Sequence, residues 1–226
     1  MNLLAIETAT QACCVGVRTS SGVEIARVVD ESRQHTETLT LGMATLIREA
    51  GLLAREIDRI VVDRGPGLFT GLRVGIATAN AFAQGVGCGM VGVTSLEMLA
   101  HGAHEAGVRG TLVSAVDGRR GDVFVQTFEL AESVEAQGLP DVKTPQDVAA
   151  QWSRSGAALT FTGDGVERYR GDFDSVANAA IYTQLVPSMH AALRLGEQAS
   201  PQVTVEPLYL READAVANFA TRERPQ

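Results

Sequence analysis

Aromatic residues are scarce in this 226-residue chain: seven Phe, three Tyr and one Trp, 5% in all, so the core must be built from aliphatic and small side chains. Cysteine is scarcer still. Cys13, Cys14 and Cys88 form no CxxC, and two adjacent thiols make poor ligands for one tetrahedral ion, so neither a disulfide framework nor a cysteine zinc site is encoded; reduced, buried thiols are expected. Basic charge is in deficit, with 19 Lys+Arg against 27 Asp+Glu and a net charge of −8. A protein that grips phosphodiester backbones alone carries a basic face or tract. The densest basic spots here are Arg119-Arg120 and Thr221-Arg222-Glu223-Arg224, and neither is a tract. No apolar run approaches the ~18 residues of a membrane-spanning helix. The opening Met1-Asn2-Leu3-Leu4-Ala5-Ile6-Glu7 has no basic segment and meets an acid early, so no membrane association and a cytoplasmic location are expected.

What is present is 45% apolar residues and 23 glycines, enough for a packed core in one large or two small domains. Leu3–Ile6 and Cys13–Val17 are apolar runs joined by a polar turn, which reads as a hairpin, and residues 23–29 add a third strand. Leu39, Met43, Leu46, Ile47 and Ala50 recur at three-and-four spacing before Gly51, predicting an amphipathic helix over 36–50. A strand at 57–62, a helix at 70–86, a strand at 90–93 and a helix at 95–106 follow. The second half restarts the plan: an apolar strand at 111–116 ending in Asp117, a polar turn at 118–121, and a return strand at 122–130. A linker at 131–139, a helix at 141–153, a strand at 159–162 before Gly163-Asp164-Gly165 and a helix at 188–198 complete the reading. The repeated pattern predicts an internal duplication with a boundary near 107–110: a first lobe at 1–107, and a second at 108–226 holding the C-terminal helix and tail.

Three features carry chemistry. Arg64-Gly65-Pro66-Gly67 joins a strand to a helix N-terminus, where free N–H groups favour an anion, although the glycines serve a tight turn equally well. No Walker A lysine follows, and the first strand turn lacks a GxGxxG fingerprint. On the next helix Gly71, Gly75, Ala79 and Ala83 fall four apart, leaving one face almost bare for close approach, either by the helix at 36–50 or by a partner's helix. Glu7, Asp117 and Asp164 each sit at a strand end beside a turn. Duplicated nucleotide-binding α/β folds hold phosphate and magnesium there, with Thr8 in the first turn as a further candidate, but acids also cap turns. Ala9 stands where close phosphate approach favours Gly. His101 and His104 share a helical face without an evident third ligand, so no metal site is assigned.

Leu4-Ala5-Ile6-Glu7-Thr8-Ala9-Thr10, Gln34-His35-Thr36-Glu37, the block from Arg64 through Phe69, Thr70, Gly71 and Arg73 to Gly75, and Gly92-Val93-Thr94-Ser95-Leu96 together resemble the bacterial TsaB (YeaZ) family. The likeness is tight over the first half and looser through Asp117–Phe124 and Tyr209-Leu210-Arg211. It implies a duplicated actin-like/Hsp70-like (ASKHA) fold, two lobes each with a mixed β-sheet flanked by helices. It also implies a part in forming threonylcarbamoyladenosine in tRNAs that read ANN codons. The catalytic relatives of this family, TsaD, carry metal-binding histidines after the matching strand, where this chain has Ser95 and Leu99. The family commonly has Asp at Glu7 and Gly at Asp63. The resemblance therefore implies a non-catalytic subunit with no cofactor of its own, in an assembly that uses ATP. Its partners would be a TsaD-like catalytic subunit, a TsaE-like ATPase and, through the complex, tRNA, with a homodimer when the partner is absent. The expected docking face is Thr36, Leu39, Met43, Leu46, Gly71, Gly75, Ala79 and Ala83. The rival readings are an ATP-dependent phosphotransferase or hydrolase of the same fold, and a metallopeptidase-like protein.

Overall fold

The structure, a computed structural model, describes residues 1–30 and 35–211, with side chains for 1–29 and 38–211. The side chains of His35 and Thr36, the residue Gln34 and the basic segment at 221–224 lie outside the described residues. The first half runs β1 (Leu3–Glu7), β2 (Cys13–Arg18), β3 (Glu24–Asp30), α1 (His35–Glu49), β4 (Arg59–Asp63), α2 (Phe69–Val86), β5 (Gly89–Val93) and α3 (Ser95–Glu105). The second runs β6 (Gly110–Arg119), β7 (Asp122–Leu130), β8 (Val134–Ala136), β9 (Asp141–Lys143), α4 (Pro145–Ser155), β10 (Leu159–Thr162), α5 (Asp164–Arg168), α6 (Arg170–Asp174), β11 (Ala179–Tyr182) and α7 (Met189–Gln198).

Every residue of β1 is buried, the mark of a strand covered on both faces. The first sheet has the order β3-β2-β1-β4-β5 and the second, read from its other edge, β8-β7-β6-β10-β11. In each, the first three strands in sequence pair antiparallel, while the strand after the crossover joins the first in parallel. The duplication is therefore one of topology, and the architecture is the two-lobed actin-like α/β fold. Helices α1 and α2 lie on one face of the first sheet. Leu39, Met43, Leu46, Ile76, Ala79 and Ala83 close over Leu4, Ile6, Val15, Ile60 and Val62 there.

The other faces are covered by exchange. Helix α7, last in the described chain, packs on β1, β2 and β4 of the first sheet, setting Met189, Ala192 and Leu193 against Leu3, Ala5 and Val61. Helix α3, from the first half, packs on β6 and β7, setting Leu96, Leu99, Ala100 and Ala103 against Leu112, Val116, Phe124 and Phe128. The boundary near 107–110 thus separates the sheets but not the packing units. The C-terminal helix assigned to the second lobe completes the first.

Two local readings are corrected. The helix expected from 141 begins only at Pro145. Asp141–Lys143 instead pairs with β7, while Thr144 caps the helix by accepting from the Asp147 N–H at 3.1 Å, with Pro145 at the first helical position. The linker at 131–139 contains β8, which extends the sheet at the β7 edge. Beyond α7 the chain forms a strap over both lobes. Gln202 bridges to Met90, Val205 enters the first core, and the Leu208 N–H donates to the Arg64 carbonyl at 2.7 Å. The Arg211 guanidinium then donates to the Gly118 carbonyl at 3.0 Å and pairs with Asp122.

Because α7 roofs a sheet from the other end of the chain, Leu193→Ala should cost about 2–4 kcal/mol. In urea the whole chain should still unfold in one transition at a lower midpoint. An unchanged midpoint, or a transition confined to one half, would contradict the exchange.

Candidate functional site

The duplication sets four acids at equivalent places: Glu7 and Asp63 end the adjacent strands β1 and β4, while Asp117 lies near the end of β6 and Asp164 just past β10. Glu7 is fully buried. The turn after it folds back so that the Thr10 N–H donates to Glu7 Oε1 at 2.8 Å. Burial, followed by the charge of Asp63, holds the Glu7 carboxyl well above the usual carboxylate range. The Thr8 hydroxyl donates to the Gly71 carbonyl at 2.8 Å, and the Leu68 N–H donates to the Ala9 carbonyl at 2.6 Å. The turn lies so close that a Cβ on Gly75 would stand 2.2 Å from Thr8 Oγ1, and one on Gly67 would stand 2.2 Å from the Ala9 carbonyl oxygen. Glu7 and Thr8, named as nucleotide candidates, are thus engaged by their own turn and by α2.

Asp63 is the acid whose role sequence reasoning missed. Its Oδ1 accepts the Gly65 N–H at 2.7 Å, and Ser95 Oγ stands 2.9 and 2.8 Å from its two oxygens. The same Ser95 Oγ is 2.9 Å from the Pro66 carbonyl oxygen. A hydroxyl has one proton, so a charged carboxylate and that carbonyl cannot both receive it. A neutral carboxyl resolves the count: Asp63 donates to Ser95, and Ser95 donates to Pro66. Burial raises the Asp63 pKa to about 7, consistent with that proton count. Asp63 and Ser95 together therefore pin the Gly65–Gly67 loop, whose Gly65–Pro66 peptide is cis.

In the second lobe the Asp117 N–H donates to Asp164 Oδ1 at 3.0 Å, and burial lifts the Asp164 pKa to about 6. Asp117 is buried and paired with Arg119 at 3.0 Å, with Arg168 at 3.5 Å. The β6–β7 turn is strained. Arg119, Arg120 and Gly121 have φ of 60°, 57° and 89°, a region that costs a non-glycine residue about 1–2 kcal/mol.

Across from that turn stands the motif loop. Arg64 is held through its backbone, its N–H donating to the Val93 carbonyl at 2.8 Å. Phe69 stacks on Tyr209 of the strap with ring centroids 5.2 Å apart. Arg73 lies 3.8 Å above the Phe69 ring, its Nε donating to Tyr209 Oη at 3.2 Å, and Thr70 is exposed in the first turn of α2. Pro66, Gly67, Phe69, Leu72, Asp117–Arg120, Phe124 and Leu208–Arg211 enclose a cavity of about 380 Å³ between the lobes. None of the residues 7–12 lines it. Of the four nucleotide candidates only Asp117 reaches it. Among the described residues no three His, Cys, Asp or Glu side chains converge as a metal site, and His104 Nε2 lies 3.0 Å from the Ala131 carbonyl oxygen.

The expected docking face requires correction. Leu39, Met43, Leu46, Gly71, Gly75, Ala79 and Ala83 are all buried by the chain itself, beneath α1, the first sheet and the Thr8 turn. Thr36 lies outside the residues with described side chains. Four-residue spacing identified a bare face but not its occupant, and the occupant is internal. On the opposite side, Leu41, Ala44 and Arg48 of α1 and Arg73, Ala77, Ala81 and Gln84 of α2 face solvent, with Leu41 69% exposed. Among the described residues no helix is long and apolar enough to cross a membrane.

Residues 29–163 match the sequence model of the family described as TsaD: tRNA N6-adenosine threonylcarbamoyltransferase. The chain is 30% identical over 161 residues to the Escherichia coli tRNA threonylcarbamoyladenosine biosynthesis protein TsaB, covering 67% of this chain and 69% of that protein. It is 31% identical over 223 residues to an uncharacterized Mycobacterium tuberculosis protein, covering 94% and 93% respectively. Among solved structures, YeaZ from Pseudomonas aeruginosa superposes with a TM-score of 0.77 at 27% identity, over 92% of this chain and 99% of the other.

Two outcomes follow from this geometry. Gly75→Ala should cost about 2 kcal/mol by forcing Thr8 off Gly71, and Thr8→Ala should recover much of that loss in the double variant. Additive losses in a thermal double-mutant cycle would contradict the contact. Asp63 retains its proton in the folded chain to about pH 7, whereas the unfolded chain releases it near pH 4. Stability should therefore fall as pH rises between these values, on the order of 1 kcal/mol per pH unit. Asp63→Asn, which reproduces the neutral donor and acceptor, should make the slope shallower, the raised Glu7 carboxyl supplying what remains, and should be at least as stable as the parent at pH 8. A less stable Asn variant there would rule out the neutral carboxyl.

Proposed function

The chain belongs to the TsaB (YeaZ) family, and from that premise we propose that it is a non-catalytic subunit paired with a TsaD-like catalytic subunit in forming N6-threonylcarbamoyladenosine in tRNAs reading ANN codons. A TsaE-like ATPase would join the assembly and consume ATP, tRNA would be held mainly by the partners, and the work would take place in the cytoplasm. The acidic net charge of −8 is consistent with that division of labour.

The observation that carries this reading is the outer side of α1 and α2. Two positions along a helix turn the direction by about 200°, so Ala77 points nearly opposite to the buried Gly75. Ala77, Ala81 and Gly85 are exposed at four-residue spacing, and a Cβ on Gly85 would meet nothing within 4 Å. With Leu41 and Ala44 of α1, they form a two-helix surface of small and apolar side chains on which another helix pair can approach closely. In the absence of the partner, a second copy of this chain would use the same face. The enclosure of Glu7 by its own turn, and the occupation of the Ser95 position by a hydroxyl bonded to Asp63, favour a supporting role over catalysis.

Ala81→Arg, on the solvent side of α2, should abolish co-purification with a TsaD-like subunit and lower tRNA threonylcarbamoylation in a reconstituted system. Stability should move by no more than about 0.5 kcal/mol, as for most surface changes. Full modification without this chain, or unimpaired complex formation by the variant, would refute the proposal.

A further inference from the structure

We propose that the cavity between the Gly65–Gly67 loop, the β6–β7 turn and the C-terminal strap is a docking site for the chain's own residues 212–220, with Phe219 between its aromatic walls and Glu212 and Asp214 on its arginine rim. The cavity measures about 380 Å³, room for side chains but not for a folded element. Its walls come from both lobes, Phe69 and Tyr209 on one side and Phe124 on the other. Phe69 and Tyr209, 36% and 42% accessible, are the two exposed aromatic residues among the described ones, whereas Phe124 is buried. Such rings gain from a further ring set against them edge-on or offset. Beyond Arg211 the sequence holds one aromatic residue, Phe219.

The point at which the described chain stops makes this segment the nearest occupant. Arg211 lines the cavity, its guanidinium donating to the Gly118 carbonyl at 3.0 Å and pairing with Asp122. Phe219 lies eight residues further on. That length spans about 12 Å as helix and about 26 Å when extended, so the ring can return to the cavity in either conformation. A tether this short holds the segment at an effective concentration in the millimolar range, where weak contacts suffice.

Charge agrees with this placement. Arg119, Arg120 and Arg211 meet at the cavity in a chain with an excess of acids. Arg119 is paired with Asp117 and Arg211 with Asp122, but a guanidinium has five N–H donors, and these pairings use only part of them. Glu212 and Asp214 are the two charged residues between 212 and 220, and they leave Arg211 beside that rim with the opposite sign. Leu41, Ala44, Ala77 and Ala81 do not line the cavity, so the site is separate from the face proposed for a TsaD-like subunit. Whatever enters the cavity from solution must first displace the segment.

The test is paramagnetic broadening of amide NMR signals in the full chain, with a nitroxide on Ala220→Cys and Cys88 replaced by Ser; Cys13 and Cys14 are buried. Residues 66–69 and 118–124 should broaden more than the rest of the chain. Phe219→Ala in the labelled chain should weaken docking about tenfold, and Glu212→Ala with Asp214→Ala about fivefold, each with an unchanged thermal midpoint. An equal mixture of labelled chain and unlabelled, isotope-enriched chain should show no such broadening. Broadening in the mixture would assign the cavity to the segment of a second copy and overturn the proposal. Broadening that is even along the chain, or that persists in Phe219→Ala, would overturn it as well.

Discussion

The approach of the Thr8–Ala9 turn to the backbone of α2 and the Gly65–Gly67 loop is the constraint on which the rest of the molecule depends. Two positions where a Cβ would collide with the seated turn, Gly67 and Gly75, allow it, and the Thr8–Gly71 and Leu68–Ala9 hydrogen bonds hold it. Once the turn is seated, Glu7 is enclosed and its charge is disfavoured. A second buried acid beside it, Asp63, then carries a raised pKa for the same reason, with Glu97 and Glu7 both nearby and Ser95 as its hydroxyl partner. The chain has turned a pair of strand-end carboxyls into internal ties. This satisfies the loop backbone but leaves the first lobe's acids remote from solvent.

The second lobe repeats the topology without repeating the outcome. There Asp117 is held by Arg119 and Arg168, Asp164 accepts the Asp117 N–H, and the strained arginines of the β6–β7 turn line the cavity. Helices α3 and α7 cross between the sheets, and the strap from Gln202 to Arg211 ties both lobes from outside. Neither lobe completes its core alone. The lobe arrangement, and with it the cavity, is therefore set by the whole chain and not by either half.

Much of this was legible in the sequence because it is written in local patterns. Leu3–Ile6 with Cys13–Val17, the amphipathic spacing through Leu39 and Met43, and the matching β6–β7 hairpin gave the strands, the helices and the duplication. The start of α4 was equally available: Thr144-Pro145 is a capping residue before a first-turn proline, and a residue preceding proline resists helix. What local pattern does not encode is which distant surface an element meets. The spacing of Gly71, Gly75, Ala79 and Ala83 is satisfied equally by a neighbour within the chain and by a partner, and only packing shows that it is Thr8 and the sheet. The exchange of α3 and α7, the β8 edge strand and the Asp63–Ser95 pairing, 32 residues apart, are tertiary facts of the same kind.

Helix α2 thus carries small residues on two sides, Gly71, Gly75, Ala79 and Ala83 inward against the fold and Ala77, Ala81 and Gly85 outward on the face proposed for docking. The most direct measurement is the rate of thiol labelling at Ala81→Cys in a background where half-buried Cys88 is Ser, with and without a TsaD-like subunit. The account predicts rapid labelling of the isolated chain and strong protection in the presence of the subunit. Equal rates in both conditions, with the complex formed, would contradict it.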